Sequence, residues 1–440
     1  MRKILEVILS FGIMLTALVG VIALLVVLPW WLLPVLVLLL VVWMASTRYG
    51  HQTRSVTWIG LSSLTQRLGS SSVVVIGIAG VVGVLVALLA MAEGFQATMQ
   101  QTGSEDTAIA VRAGSMAELN SVLMREDIML IAQASGVKKA PSGQPIASAE
   151  LIVGASLVKK SNGLDANVEI RGVGAHVWEI YPNAHIVAGR LFTAGMNELI
   201  VGKGAHEQFA GNDIGATLIL NNQQWKVVGI FDSGDAHDSE LWGDADVVAS
   251  VFRRGSSRSS VTVRLTDADA FDTFKAALSG DPRLHVDTKT TRDYYSEQSE
   301  QLTRLIRILG TTIGVIMAIG AVFGALNTMF AAVATRAREI ATLRAIGFRG
   351  LPVVVSVMLE TMLLALAGGV LGAAIAWLVF DDYTASTLGS SFSQVVFAFK
   401  VSPALIWNGL KWALAIGFLG GLFPALRAAQ LPVTTALREL

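Results

Sequence analysis

Long apolar runs separated by polar segments set the pattern along this chain. Four runs carry at most one charged residue each and lie at about 71–92, 306–333, 354–380 and 405–424. Each is near or above the roughly 20 residues that a helix needs to cross the hydrocarbon core of a bilayer. The pattern therefore predicts four membrane-spanning helices, with a long polar stretch at 93–305 between the first two.

The first 46 residues form a further apolar region. Pro29 and Pro34 stand in its middle, where a helical hairpin has to turn. We predict an N-terminal transmembrane hairpin over 1–46, with spans at about 5–28 and 31–46. One span followed by an interfacial segment is the alternative, and the stretch is too long for a signal peptide.

A polar segment follows at 47–70. Trp58, Leu61, Leu64 and Leu68 recur in it at helical spacing, and several arginines accompany them. This spacing predicts a short amphipathic helix that lies along the cytoplasmic face of the membrane.

The long polar stretch has the pattern of a soluble α/β domain. Runs rich in β-branched residues predict strands at 198–201, 225–231 and 261–265. The last of these precedes a helical pattern and then a short apolar run at 284–286, which fits a small βαβ module. The domain is long enough for its own core, with two lobes, and a helical stalk at about 291–336 leads from it into the membrane.

Positive charges in the short polar segments predict the orientation. Lysine and arginine concentrate in the cytoplasmic loops of membrane proteins. The arginines of these segments are Arg48, Arg54, Arg67, Arg336, Arg338, Arg344, Arg349, Arg427 and Arg438. Six spans put all of them on one side, so both termini are predicted to be cytoplasmic and residues 93–305 extracytoplasmic.

Composition narrows the class of protein. Hydrophobic residues make up 53% of the chain. Charged residues make up 15%, against about 25% in soluble domains. The net charge is zero, which gives no reason to expect nucleic-acid binding. The absence of cysteine excludes disulfides, thiolate catalysis and cysteine-based metal sites. The composition thus indicates an integral membrane protein that carries a polar domain.

Two segments are more specific than hydropathy. Residues 335–349 read TRAREIATLRAIGFR directly after a span, and residues 423–438 read FPALRAAQLPVTTALR at the C-terminus. Both closely resemble segments of the MacB/FtsX-type ABC transporter permeases, the family that includes the lipoprotein-releasing permeases. Weaker matches at 92–96 and 188–192 extend the resemblance over roughly 55–440.

The resemblance implies a membrane protein with a four-span α-helical core and an extracytoplasmic α/β domain between its first two spans. That layout agrees with the hydropathy pattern. The predicted domains are the N-terminal hairpin 1–46, the amphipathic segment 47–70, the first core span 71–92, the periplasmic domain 93–305 and the last three spans with the tail, 306–440. A cytoplasmic coupling segment lies at 334–352. Most relatives lack the N-terminal hairpin.

Partners are implied by the same resemblance. The chain contains no Walker A motif, so ATP and Mg²⁺ are expected on a separate ATPase subunit and no cofactor or metal on this chain. That ATPase would be of the kind that serves the lipoprotein-releasing and MacB systems. A second permease copy or a paralogue, a periplasmic adaptor protein and membrane lipids complete the expected partners. The expected location is the bacterial inner membrane.

Residues 336–347 are predicted to form the helix that contacts the ATPase. Gly347 is suited to end it, because glycine readily adopts the left-handed backbone conformation. The residues assigned to ATPase coupling are Arg336, Arg338, Glu339, Ile340, Leu343, Arg344, Ile346 and Gly347. Ile340, Leu343 and Ile346 form an apolar ridge suited to a groove of a soluble partner. From composition alone, the concentration of arginine in cytoplasmic loops explains these arginines better than contact with a partner does. The resemblance favours contact with the ATPase.

Two polar residues lie within predicted spans. Glu360 is about two turns from the cytoplasmic end of its span and is a functional candidate by default. Bonding across the helix bundle, bonding to the coupling segment and snorkelling to the interface are the alternatives for it. Asn327 is a weaker case of the same kind.

Small residues recur at four-residue spacing within the predicted spans. The pairs are Gly310/Gly314, Gly320/Gly324, Gly368/Gly372 and Gly417/Gly421. Such spacing allows close helix contact. Packing within one chain and packing between two copies remain equally good interpretations.

An acidic segment within 232–246 is predicted to be a solvated loop. Its ionisable residues are Asp232, Asp235, His237, Asp238, Glu240, Asp244 and Asp246. A metal site is the alternative, but the spacing of an EF-hand is missing.

The predicted function is that of a permease working by mechanotransmission. ATP hydrolysis by the separate subunit would drive export or extraction of a lipid, lipoprotein, peptide or drug in the cell envelope. An FtsX-like signalling protein that activates a cell-wall hydrolase without transport is the alternative. The size of the domain at 93–305 favours transport, because division-type members usually have a smaller one. The sequence shows no nucleophile–base or metal set for a membrane enzyme.

Overall fold

The apolar runs form long α-helices in the computed structural model of the protein. The structure describes three single residues and three ranges, namely Gly20, Val27, Pro29, 31–62, 68–389 and 393–430. The chain folds as two compact units. Unit 1 comprises Met1–Met91, Ile306–Asp381 and Lys400–Leu440, and unit 2 comprises Ala92–Leu305 and Asp382–Phe399.

Four of the described helices are long and apolar enough to cross a membrane. In chain order the helices are α1 (Leu32–Ser46), α2 (Arg48–Ser62), α3 (Leu68–Thr102), α4 (Arg125–Ala132), α5 (Val177–Ile180), α6 (Lys203–Gln208), α7 (Ala245–Val251), α8 (Ala270–Ser279), α9 (Thr291–Thr335), α10 (Ala337–Ala345), α11 (Gly350–Phe380) and α12 (Pro403–Gln430). The four candidate spans are α3, α9, α11 and α12. The predicted four-span core is therefore confirmed.

The N-terminal region is described only from its second half. α1 has 15 residues, about 22 Å at 1.5 Å per residue, which is short of a hydrocarbon core of about 30 Å. α2 follows it at an angle of 103°. The predicted first span of the hairpin apart from Gly20 and Val27, residues 63–67 of the amphipathic segment with Leu64 and Arg67, and motif residues 431–438 lie outside the described residues.

Glycines bring the spanning helices of unit 1 close together. A Cβ added to Gly417 would stand 2.4 Å from the Cβ of Ala365, and one added to Gly372 would stand 2.4 Å from the carbonyl oxygen of Ala79. Three of the four small-residue pairs pack within the chain in this way: Gly310/Gly314, Gly368/Gly372 and Gly417/Gly421. An added Cβ on Gly320 or Gly324 meets none of the described atoms within 4 Å, so this pair lies on open surface.

Unit 2 is an α/β domain, as predicted. It is built on a ten-stranded sheet. The strands are β1 (Thr107–Arg112), β2 (Ala147–Val158), β3 (Asp165–Val173), β4 (His185–Gly189), β5 (Glu198–Gly202), β6 (Thr217–Leu220), β7 (Gln223–Asp232), β8 (Leu241–Asp244), β9 (Ser260–Arg264), β10 (Val286–Thr290), β11 (Thr384–Leu388) and β12 (Gln394–Ala398). The sheet order is β10-β1-β9-β2-β3-β8-β5-β7-β4, with β6 also on β7. The three strands predicted from β-branched runs correspond to β5, β7 and β9.

The predicted βαβ module needs one correction. β9, α8 and β10 follow each other along the chain, but β1 lies between the two strands and is antiparallel to both. The module is therefore split by a strand. The local pattern did not reveal this, because β1 comes from much earlier in the chain and inserts only through tertiary pairing.

Separate clusters of buried hydrophobic residues cover the sheet. Phe274 of α8 and Val263 of β9 belong to one cluster near β1. Trp225 of β7 and Phe209 belong to a second, over β2, β3 and β5. Trp242 of β8 anchors a third. These clusters lie along one continuous sheet.

Candidate coupling site

α10 is the helix predicted to contact an ATPase, and its ends are well defined. Gly347 has a φ of 106°, in the left-handed region. The N–H of Phe348 donates to the carbonyl of Leu343 and that of Gly347 to the carbonyl of Arg344, both at 3.1 Å. This pair of bonds is a Schellman motif, which ends the helix sharply. The short helix is therefore a defined unit and does not fray into a loop.

The exposed face of α10 differs from the predicted apolar ridge. Ile340 is 7% exposed and packs with Val333 and Val353 in a core of unit 1. Leu343 and Arg344 are half-buried, whereas Arg338 and Glu339 are exposed. Ile346 is 69% exposed and is the part of the ridge that lies open. The surface that α10 offers a partner is thus charged around one apolar residue.

Arg336 lies at the N-cap of α10 and points into unit 1. Its guanidinium donates to Oε2 of Glu360 at 2.8 Å and to the carbonyl oxygen of Gly60 at 2.8 Å. Arg336 and Glu360 are 8% and 4% exposed. A buried ion pair that loses one partner leaves an uncompensated charge, which costs about 3–5 kcal/mol. Arg336 therefore holds α10 to α11 and α2, and its buried side chain is not part of the surface that α10 offers a partner.

Glu360 does not snorkel to an interface, because its carboxylate is buried and paired. Of the alternatives left open by the sequence, bonding to the coupling segment is the one observed. Gly60 lies beside the ion pair: a Cβ added there would stand in van der Waals contact, 3.5 Å from Oε2 of Glu360 and 3.6 Å from the Arg336 guanidinium. The backbone of α2 thus reaches the ion pair closely enough to accept a hydrogen bond.

A second contact links α2 to the segment after α10. The guanidinium of Arg349 lies over the ring of Tyr49, 5.2 Å from its centroid. Cation–π contacts of this kind contribute about 0.5–1 kcal/mol at exposed sites. Because Gly60 is near the other end of α2, this helix is joined at both ends to residues that flank the coupling helix.

Asn327 is not part of this site. It is exposed on α9, on the same strip as Gly320 and Gly324. Phe323, on the same strip, is 42% exposed. The structure therefore separates the two intramembrane polar residues: Glu360 is internal and Asn327 lies on an open helix face.

Unit 2 contains a buried charge cluster that the sequence did not reveal. Arg171 on β3 is 1% exposed. Its guanidinium donates to Glu150 at 2.7 Å, to Glu240 at 2.8 Å and to Glu118 at 3.0 Å. The one sequence signal was that Arg171 stands among Val168, Ile170 and Val173, where a buried charge needs buried acceptors.

The predicted solvated acidic loop is wrong for three of its seven ionisable residues, which are buried. Asp235, His237 and Glu240 are 9%, 1% and 6% exposed, while Asp246 is exposed. Nδ1 of His237 lies 3.0 Å from Oδ1 of Asp235. The imidazole ring packs at a tilt against the ring of Tyr181, with 4.6 Å between the ring centroids. Within the described residues no group of three His, Asp or Glu side chains is arranged to hold a metal ion.

Burial and charge act against each other in this cluster. Burial opposes the charged form of His237, but Asp235 and Glu240 together raise its pKa from 6.5 to about 9. Burial raises the pKa of Glu150, whereas Arg171 outweighs burial at Glu118 and lowers that pKa. The cluster therefore balances one guanidinium and a protonated histidine against several carboxylates.

The segment between the last two spans is a β-hairpin and not a plain polar loop. β11 and β12 pair antiparallel and belong to unit 2. The backbone N–H of Val396 donates to Oγ of Ser239 at 2.8 Å, and Ser393 donates to Glu169 at 2.9 Å. Phe397 packs edge-on against Phe95 of α3 at 5.5 Å between ring centroids. The β-branched and aromatic run at 395–397, which follows Gly389 and several serines, was a sequence signal for this hairpin.

Comparison with known proteins agrees with this arrangement. Residues 71–280 match the model of the MacB-like periplasmic core domain, and residues 311–433 match the FtsX-like permease C-terminal model. The two matches cover about three quarters of the chain. The four candidate spans and these two matches define a multi-pass membrane protein of the ABC permease class. The chain belongs to the MacB/FtsX-type ABC transporter permease family.

Curated relatives are distant in sequence. The pyoverdine export ATP-binding/permease protein PvdT of Pseudomonas aeruginosa is 26% identical over 387 residues, which cover 83% of this chain and 55% of that protein. The macrolide export ATP-binding/permease protein MacB of Bordetella avium is 24% identical over 297 residues, which cover 62% of this chain and 44% of that protein. The chain spans about half the length of the curated relatives it matches.

Two solved structures resemble part of the chain. The extracellular domain of the noncanonic ABC-type transporter YknZ from Gram-positive bacteria is 18% identical, with a TM-score of 0.32, and covers 42% of this chain and 100% of that one. The periplasmic region of MacB from Actinobacillus actinomycetemcomitans is 15% identical, with a TM-score of 0.32. The match covers 46% of this chain and 92% of that one.

Proposed function

We propose that this chain is the permease subunit of a bacterial inner-membrane ABC transporter and that it works by mechanotransmission. A separate ATPase subunit binds the exposed face of α10 and hydrolyses ATP with Mg²⁺. Its movement drives export or extraction of a lipid, lipoprotein, peptide or drug in the envelope. Membership of the permease family supports the first part, and the geometry around α10 supports the second.

The observation that carries the proposal is the buried connection from α10 to the helix bundle. Arg336, at the start of α10, bonds to Glu360 of α11 and to the carbonyl of Gly60 in α2. A displacement of the exposed face, at Arg338 and Ile346, therefore acts on a buried ion pair. Because such a pair resists separation, α11 and α2 move with the coupling helix.

Chain continuity extends this connection to unit 2. α3 and α9 are single helices whose residues belong to both units, with the divisions at Met91 and Ile306. The β11–β12 hairpin, between α11 and α12, is part of unit 2. Each of the four spanning helices is thus covalently continuous with a segment of the outer domain. Movement of the helices supplies the domain with a mechanical input.

The remaining partners follow from open surface and from the relatives. A second permease copy or a paralogue would cover the strip of Gly320, Gly324 and Asn327, because an exposed amide in a span gains a hydrogen-bonding partner there. PvdT and MacB are named for pyoverdine and macrolide export. Export with a periplasmic adaptor is the corresponding proposal for this chain, with both of its termini cytoplasmic.

The test is co-purification of the full chain with the ATPase encoded beside its gene. Arg338→Glu combined with Ile346→Asp reverses a charge and places a carboxylate at the apolar centre of the α10 face. We expect at least a tenfold loss of bound ATPase. Arg125→Glu with Ile219→Asp makes the same changes at exposed residues of unit 2 and should leave binding unchanged.

Full ATPase binding by the α10 variant would refute the assignment of this face. The mechanism is tested separately, with a partner ATPase that binds ATP without hydrolysing it. Accumulation of an envelope lipid, lipoprotein or drug inside the cell supports transport. Normal export of all of these together with altered cell-wall turnover would instead identify an FtsX-like signalling protein.

A further inference from the structure

α2 has two different faces. The buried face consists of Thr53, Val56, Thr57 and Gly60, which pack into unit 1. The opposite face is exposed along the whole helix. Its residues follow helical periodicity and are Arg48, His51, Arg54, Ser55, Trp58, Ile59 and Ser62. We call this face the α2 stripe.

The α2 stripe is cationic and carries an exposed aromatic residue. Residues 31–91 contain no Asp or Glu, so Arg48 and Arg54 lie on a stretch of chain without acidic residues. Trp58 is 76% exposed, one turn beyond Arg54, and Ile59 is 48% exposed. Arginine beside an exposed tryptophan is the composition of helices that lie in the interface of a membrane, with the charges at headgroup level.

The bend before α2 sets its direction. α1 is apolar throughout, with Val37, Leu38 and Leu39 each about 60% exposed, which suits contact with lipid. α2 leaves α1 at 103°. If α1 runs along the bilayer normal, a helix at that angle runs along the membrane surface. Thr47 fixes the corner, because its hydroxyl accepts from the N–H of Gly50 at 2.9 Å.

We propose that the α2 stripe binds anionic phospholipid headgroups, with Arg48 and Arg54 as the phosphate contacts and Trp58 and Ile59 inserted beside them. The apolar end of the stripe favours lipid over a nucleotide-binding protein, since an exposed Trp–Ile pair gains most by burial among acyl chains. Exposed Arg349, which lies over the ring of Tyr49, adds a cation at the Arg48 end of the helix.

Lipid bound there would act on the coupling segment. Both ends of α2 are joined to residues that flank α10, through the Tyr49–Arg349 stacking and the Gly60–Arg336 hydrogen bond. A headgroup that holds α2 at the membrane surface therefore helps to position the coupling helix. This inference requires the α2 side to be cytoplasmic but does not depend on the cargo or on the ATPase.

The test uses the full chain purified in detergent and titrated with phosphatidylglycerol or phosphatidylcholine, with bound lipid counted by native mass spectrometry. We expect a preference for phosphatidylglycerol. Arg48→Gln with Arg54→Gln should weaken it roughly fivefold for each charge removed, because a basic residue near an anionic surface contributes about 1 kcal/mol. Half-molar salt should weaken it as well, because exposed charges are screened.

Two further variants make the result decisive. Arg48→Lys with Arg54→Lys keeps both charges and should keep the preference. Arg125→Gln with Arg254→Gln removes two exposed arginines from unit 2 and should leave it unchanged. The proposal is wrong if the Arg48/Arg54 glutamine variant retains phosphatidylglycerol as the wild type does. It is also wrong if that variant keeps the lipid and loses the ATPase, since the stripe would then be a protein-binding surface.

Discussion

Two buried arginines are stabilised by different acceptors. Arg171 in unit 2 donates to three carboxylates, whereas Arg336 in unit 1 donates to one carboxylate and to the backbone of Gly60. A buried guanidinium without acceptors is strongly unfavourable, so each arginine fixes the positions of its neighbours. Arg171 fixes parts of one sheet, and Arg336 fixes three helices around the coupling segment.

The Arg336–Glu360 pair leads to a prediction on stability. Arg336→Met and Glu360→Gln each leave one buried polar group without its partner, so each should lower the free energy of unfolding by about 3–5 kcal/mol. The double variant should lose less than the sum of the two. Thermal unfolding of the full chain in detergent measures this, with the exposed Arg338→Met as control. Additive losses would mean that the two side chains do not interact.

His237 leads to a prediction on pH. Its folded-state pKa is about 9, above the ordinary 6.5, so protonated His237 stabilises the fold fully below pH 6.5. That contribution, about 3 kcal/mol, should disappear as the pH rises from 6.5 to 9. Hydrogen exchange of residues 236–239 in the full chain measures the loss of protection. His237→Gln should remove this pH dependence, and the exposed His185→Gln should keep it.

At the scale of elements, the β11–β12 hairpin stands out because it lies between the last two spans and belongs to unit 2. It packs on the 236–239 turn through Ser239 and Val396, and on α3 through Phe95 and Phe397. Gly94 of α3 has no side chain, which allows the backbone of β12 at Ala398 to lie against the helix. A Cβ there would stand 2.1 Å from the carbonyl oxygen of Ala398.

Gly94→Val should therefore displace β12. A Cβ cannot stand 2.1 Å from a backbone oxygen, so the hairpin must move. We expect faster hydrogen exchange across residues 394–398 of the full chain. Gly154→Val on β2 is the matched control, because an added Cβ there meets none of the described atoms within 4 Å. Unchanged exchange in the Gly94 variant would show that the hairpin is not held at this contact.

At the scale of the whole molecule, the two units are joined by several covalent connections. α3 and α9 each cross the division between them, and the hairpin segment leaves unit 1 at Asp381 and returns at Lys400. The chain therefore crosses the division between the two units four times. The orientation of the chain decides whether α10 lies on the cytoplasmic side, where the proposed ATPase would bind.

The absence of cysteine gives a direct test of orientation. Ala345→Cys in α10 and Ser161→Cys in unit 2 are both exposed single-cysteine variants. In intact cells without an outer membrane, a membrane-impermeant maleimide should label Ser161→Cys and not Ala345→Cys, because the concentration of arginine predicts that the loop after α9 is cytoplasmic. Permeabilised cells should label both. Labelling of Ala345→Cys in intact cells would invert the topology and remove the ATPase from the proposed mechanism.

Hydropathy was enough to predict the four spanning helices and the outer α/β domain. Runs such as 71–92 owe their structure to a local requirement, since a helix satisfies its own backbone hydrogen bonds in lipid. The end of α10 at Gly347 could also be predicted from local sequence, because glycine readily adopts the left-handed backbone conformation observed there. The residues assigned to ATPase coupling remain predictions, although the structure now separates exposed Arg338 from buried Ile340.

The sequence by itself determined which segments are helices in a membrane, which segment is a soluble domain and where the coupling helix ends. Those properties depend on hydropathy, periodicity and backbone preference, all of which act over a few residues. Only the tertiary structure decided that Arg336 pairs with Glu360, that Arg171 gathers three carboxylates and that β1 splits the βαβ unit. Such contacts join residues distant in the chain, because a buried charge is satisfied by whichever acceptor the fold brings to it.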